Sequence, residues 1–142
     1  MKRKALTITL AAVMAMGTCA VTASAADGDT YTIGICQLVQ HEALDAATQG
    51  FKDEIVKELG EDAVTFDEQN AQGDSNTCST IINSFVSNNV DLILANATPA
   101  LQAAAAGTSD IPILGTSVTE YGVALGLDDF DGTVGGNISG TA

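Results

Sequence analysis

Basic residues are scarce in this chain: five Lys and Arg stand against 18 Asp and Glu, a net charge of −13. Three of the five are Lys2, Arg3 and Lys4, so from residue 26 onward only Lys52 and Lys57 face all 18 acids, a net charge of −16. Such a surface repels nucleic acid and anionic membranes, which argues against both as partners. The acids are scattered, so they solvate the fold and mark no disordered tail. Histidine is scarcer still. With His41 alone, no His–His or His–Cys metal set can be assembled. Glycine-rich phosphate loops of both common types are missing, as is the G-x-S-x-G elbow of serine hydrolases. A Cys36/His41 nucleophile pair would place the thiol inside a strand, and a small core residue is the preferred reading of Cys36. No catalytic set, metal site or cofactor is therefore expected, and the chain is not read as an enzyme. Repeats of solenoid period and low-complexity segments are also lacking.

The chain has no apolar run long enough for a comfortable membrane span, which takes about 20 residues. Its longest, Ala5 to Gly17, follows the basic cluster and precedes Ala23-Ser24-Ala25, a small-x-small cleavage site. Residues 1–25 read as a secretory signal peptide, with Ala26 the first mature residue. A second reading lipidates Cys19, although Met16-Gly17-Thr18 makes a poor lipobox. Either way the product is exported, to a periplasm or the cell surface. Export would permit a disulfide between Cys36 and Cys78. A domain of this size folds without such a staple, and two buried thiols are expected.

What the chain does have is an alternation of strand and helix, which predicts a parallel sheet covered by helices. Tyr31 to Cys36 is β-branched and reads as the first strand. Leu44, Ala47, Phe51, Ile55 and Leu59 recur every three or four residues, predicting a helix over 42–59 that Gly60 stops. A strand from Ala63 to Asp67 leads to a polar loop and a helix capped by Asp74 or Ser75. Asp91 to Ala95 has the continuous apolar run of a strand buried on both faces. Thr98 as N-cap with Pro99 behind it opens a third helix that ends at Gly107. Ile111 to Gly115 follows as a fourth strand, and Val123 to Leu127 as a candidate fifth. The tail from Gly132 to Ala142 reads as a linker or crossing segment.

Ligands of open parallel sheets bind outside the carboxyl ends of the strands. Those ends fall at Gln37–His41, Gln69–Gly73, Asn96–Thr98 and Thr116–Glu120, which offer amides, hydroxyls, one imidazole and one carboxylate. Such groups suit reversible binding of a small polar ligand. The helix opened by Thr98 could also receive a carboxylate at its N–H groups.

The stretches from Ile33 to Asp45 and Gln49 to Lys52 resemble the opening of ABC-transporter substrate-binding proteins of the TrpX-like group. Asn70-Ala71-Gln72-Gly73-Asp74, Val90 to Ala95, Ala97 to Ala100, Val118-Thr119-Glu120 and Gly135 to Gly140 continue the resemblance in order. It implies an α/β fold: an open parallel sheet with helices on both faces, forming one lobe of a two-lobed periplasmic binding protein of type I. A small-molecule ligand, in some members an aromatic amino acid, would sit between the lobes, and ABC permease subunits would receive it. Ligand contacts would fall at Gln37, His41, Asn70, Thr98, Thr119 and Glu120, where Thr119-Glu120-Tyr121 replaces the family's usual Thr-Asp-Pro. Residues 26–132 would form the N-terminal lobe and 133–142 the start of the crossover to a second lobe. An extracytoplasmic sensing module would share this fold. A cytoplasmic repressor would too, but the export signal and the absence of a DNA-binding helix-turn-helix oppose it.

Overall fold

The computed structural model describes residues 28–142. The expected signal peptide, and Cys19 as the alternative lipidation site, lie outside the described residues. Five strands, Tyr31–Gln37 (β1), Val64–Asn70 (β2), Leu92–Asn96 (β3), Ile113–Thr116 (β4) and Ile138–Gly140 (β5), form one sheet in the order β2-β1-β3-β4-β5. All four pairings are parallel. Four helices connect them: Glu42–Leu59 (α1), Ser75–Ser87 (α2), Thr98–Gly107 (α3) and Tyr121–Leu125 (α4). The chain steps from β1 outward to β2 and then back across to β3. That reversal opens a crevice at the carboxyl ends of β1 and β3.

Strand parity sorts the core into two layers. Ile33, Ile35 and Leu94 point to one face, where Phe51 and Ile55 of α1 cover them. Cys36, Ile93, Ala95 and Ile113 point to the other, under Cys78, Ile82 and Phe85 of α2 and Leu101 and Ala104 of α3. No helix among the described residues is long and apolar enough to cross a membrane.

The α2 cap is Asp74, whose Oδ1 accepts from the Thr77 N–H at 2.7 Å. That N–H holds the Asp74 carboxyl below the usual carboxylate range. A depressed folded-state value adds stability above the unfolded value, and the gain is lost as pH falls through the folded one. Asp74→Asn keeps an acceptor but cannot titrate. Urea unfolding at about pH 7 and about pH 3 should show a smaller acid-side loss of stability in the variant than in the parent.

Two elements differ from the sequence expectation. Val123 to Leu127 is not a strand. Both Glu120 carboxylate oxygens receive N–H groups, from Gly122 and Val123, and start a helical turn that the left-handed Gly126 ends. The fifth strand comes instead from the tail, where Ile138–Gly140 pairs with Ile113–Gly115. The start of α3 also shifts by one residue. Thr98 is not its N-cap: Ala97 is, at φ 94°, with its N–H donated to Thr116 O. The chain therefore turns one residue early, and no side chain caps the helix.

Candidate functional site

Sheet register aligns one polar row along the carboxyl edge. Asn70 pairs with Gln37, Gln37 with Asn96, and Asn96 with Thr116. All four close their strands with the parity that faces α1. The loops behind the row are laced to it: Ala71 N–H donates to Gln37 O at 2.9 Å and Gly73 N–H to Leu38 O at 2.7 Å. Leu38 N–H reaches Asn96 O at 3.2 Å. Gln72, Ala97 and Ser117, each just beyond a strand of the row, have positive φ. Ala97 lies where backbone strain of about 1–3 kcal/mol is expected for a residue with a Cβ.

The six residues singled out from sequence all reach this edge, in different states. Gln37 is buried and fully engaged: its Nε2 donates to Val39 O at 2.9 Å and Asp45 Oδ1 at 2.6 Å. Its Oε1 accepts from Thr48 Oγ1 at 2.7 Å. His41 is exposed and caps α1, its Nδ1 accepting from the Ala43 N–H at 3.2 Å. Asn70 Oδ1 accepts from the Gln72 N–H at 2.8 Å, and beside it a groove of about 430 Å³ opens between Val39, Gln40, Asn70 and Gln72. Thr98 is half-buried at the uncapped start of α3, where Pro99 has no N–H, Ala100 is buried and the Thr98 N–H is on offer. Thr119 and Glu120 are exposed, and Glu120 caps α4.

Sequence reasoning missed Thr48 and undervalued Asn96. Asn96 is fully buried, and its Nδ2 donates to Leu44 O at 2.8 Å and Thr48 Oγ1 at 2.9 Å. A polar Thr48 on an otherwise apolar helix stripe was the available signal.

Cys36 and Cys78 are free and buried, as expected, and burial pushes both thiols above their ordinary range, away from nucleophilic use. A depression of about 610 Å³ runs along the outer edge of β2 beside α1, away from the strand ends. Its two lysines are already paired, Lys52 with Glu68 at 2.8 Å and Lys57 with Glu54 at 2.9 Å. Among the described residues no three His, Cys, Asp or Glu side chains gather as a metal site.

An open parallel sheet, helices on both faces and a polar row at its switch point define one lobe of a type I periplasmic-binding-protein fold. Residues 32–142 match the family of ABC transporter substrate binding proteins, and the chain belongs to that family. It is 46% identical over 116 residues to a tyrosine-binding protein of Clostridioides difficile (strain R20291), covering 78% of this chain and 32% of that protein. The ligand-free, open structure of CD0873, a substrate-binding protein with adhesive properties from Clostridium difficile, is 43% identical. It superposes with a TM-score of 0.70 over 78% of this chain and 38% of its own. The ABC domain from Streptococcus pneumoniae in complex with L-Trp is 33% identical, with a TM-score of 0.72 over 79% of this chain and 38% of its own. The chain thus spans about a third of the length of these relatives.

Proposed function

We propose that this chain supplies the N-terminal lobe of the extracytoplasmic solute-binding component of an ABC importer, and that its ligand is an aromatic amino acid. The observation that carries the reading is the polar row Asn70–Gln37–Asn96–Thr116 beside the uncapped start of α3. A ligand carboxylate suits the Thr98 N–H at the start of α3, and Glu120 offers negative charge for its ammonium. His41, Asn70 and Thr119 supply side-chain contacts from the neighbouring loops, and Gln37 stands behind them. Relatives named for tyrosine and bound to L-Trp support the ligand class. Residues 26–132 form the lobe and 133–142 begin the crossover, with Ile138–Gly140 serving also as the edge strand. Residues 1–25 direct export, to a periplasm or cell surface, with Cys19 as the site of a lipid anchor in the second form of that reading. No bond is made or broken in this role: the ligand is held between two lobes and released to permease subunits.

Thermal shift of the full-length protein against single amino acids tests this. A ligand at about 100 times its Kd stabilises the folded state by about 2.7 kcal/mol, a rise of several degrees. L-tyrosine or L-tryptophan should produce that rise, and L-isoleucine should fall well short. No shift with any amino acid would sink the proposal.

A further inference from the structure

Thr48 stands on the stripe of α1 that faces the sheet and is 3% exposed. Its hydroxyl donates to Gln37 Oε1 at 2.7 Å and accepts from Asn96 Nδ2 at 2.9 Å. Gln37 closes β1, Asn96 closes β3, and the two are register partners across the switch point. One hydroxyl therefore ties the helix to both strands where the crevice opens. The surrounding bonds fix each amide in one orientation. Gln37 Nε2 uses its two hydrogens on Val39 O and Asp45 Oδ1, and Asn96 Nδ2 uses its second on Leu44 O. Through Val39 O the cluster also holds the loop that carries His41.

Stability alone does not select this arrangement. Asn96 is 0% exposed, and its Oδ1 has no partner among the described residues. A buried acceptor left open is destabilising, and apolar residues at positions 37, 48 and 96 together would pack without that cost. In some proteins, buried polar groups kept at such a cost specify one geometry over its neighbours.

We propose that Thr48 is a positioning residue of the binding end: it touches no ligand, and through Gln37 and Asn96 it sets where the 38–41 loop and the first turn of α1 stand. The inference rests on the ligand-binding reading above.

Thr48→Val keeps the shape and removes the hydroxyl, whereas Thr48→Ser keeps the hydroxyl. In the full-length protein, calorimetric titration with L-tyrosine and L-tryptophan should give a Kd raised about tenfold for Thr48→Val, which is about 1.4 kcal/mol. Thr48→Ser should stay within about twofold of the parent. Amide exchange of the ligand-free protein should quicken at residues 38–45 in the Val variant and not in the Ser variant, a local signature that uniform destabilisation does not give. Should Thr48→Val fail to fold, Asp45→Ala probes the exposed end of the cluster, with weakened binding and quickened exchange at residues 38–41 expected beyond any fall in melting temperature. Binding by Thr48→Val, or by Asp45→Ala if that must stand in, as tight as the parent's overturns the proposal, as does failure of Thr48→Ser to restore it. A parent protein that binds neither amino acid would sink the function instead, and the exchange rates would then decide the role of Thr48.

Discussion

Phe85→Ala is expected to lower the free energy of unfolding by about 3–5 kcal/mol, a large share of what a domain of this size has. Phe85 is fully buried and is among the largest side chains of the layer under α2. It lies directly over β1 because residue 34 is glycine. A Cβ built on Gly34 would meet the Phe85 ring at 2.6, 2.7 and 2.9 Å, inside any tolerable contact. Ring and missing methyl are thus two halves of one fit. Gly34→Ala alone should cost about 1–3 kcal/mol by overpacking. Combined with Phe85→Ala, which removes the ring down to its Cβ, it should cost less than the two single changes added together. Urea unfolding followed by far-UV circular dichroism measures all four corners. Strict additivity would mean that the strand and helix yield independently, contrary to this packing.

Gly140→Ala should release β5 from the sheet. Its Cβ would fall on the backbone oxygen of Gly115 and on the Tyr121 hydroxyl, and 2.8 Å from Gly115 N. None of these can move cheaply. Tyr121 Oη passes between Gly115 and Gly140 to donate to Thr141 O at 3.0 Å, and burial pushes its phenol up, so it stays protonated and donating. Thr141 N–H donates in turn to Gly115 O at 3.0 Å. Losing β5 would therefore loosen α4 as well. Hydrogen exchange should show protection lost at residues 138–141 while β1 and β3 keep theirs. Gly50→Ala is the matched control. Nothing stands within 4 Å of its Cβ, and in an exposed helix interior the change should stabilise by about 0.5–1 kcal/mol. Unchanged protection of β5 in Gly140→Ala would refute the Gly115–Tyr121–Gly140 fit.

Much of the fold was legible because the signals are local. The stripe Leu44–Ala47–Phe51–Ile55–Leu59 recurs at helical period, and α1 occupies the expected residues 42–59. Asp74 followed by an apolar-faced run gave the α2 start, and the unbroken Leu92-Ile93-Leu94 gave a central strand. Errors gathered where the segments are short. Val123–Leu127 and Ile138–Gly140 each have too few residues for a period to show. A carboxylate cap made the first a helix, and a pair of glycines beside one tyrosine made the second a strand.

By itself the sequence determined the alternation of elements, the two faces of the sheet and the four polar strand ends, since each depends on spacing or residue type within a few neighbours. Tertiary structure alone decided what the polar residues at those ends do. Gln37, Asn96 and Thr48 meet across 11 and 48 residues of chain, and only the strand register and the seat of α1 bring them together. An amide at a strand end has the same appearance in sequence whether it faces a ligand or a buried threonine. Its hydrogen-bond partners, set by long-range packing, make the difference.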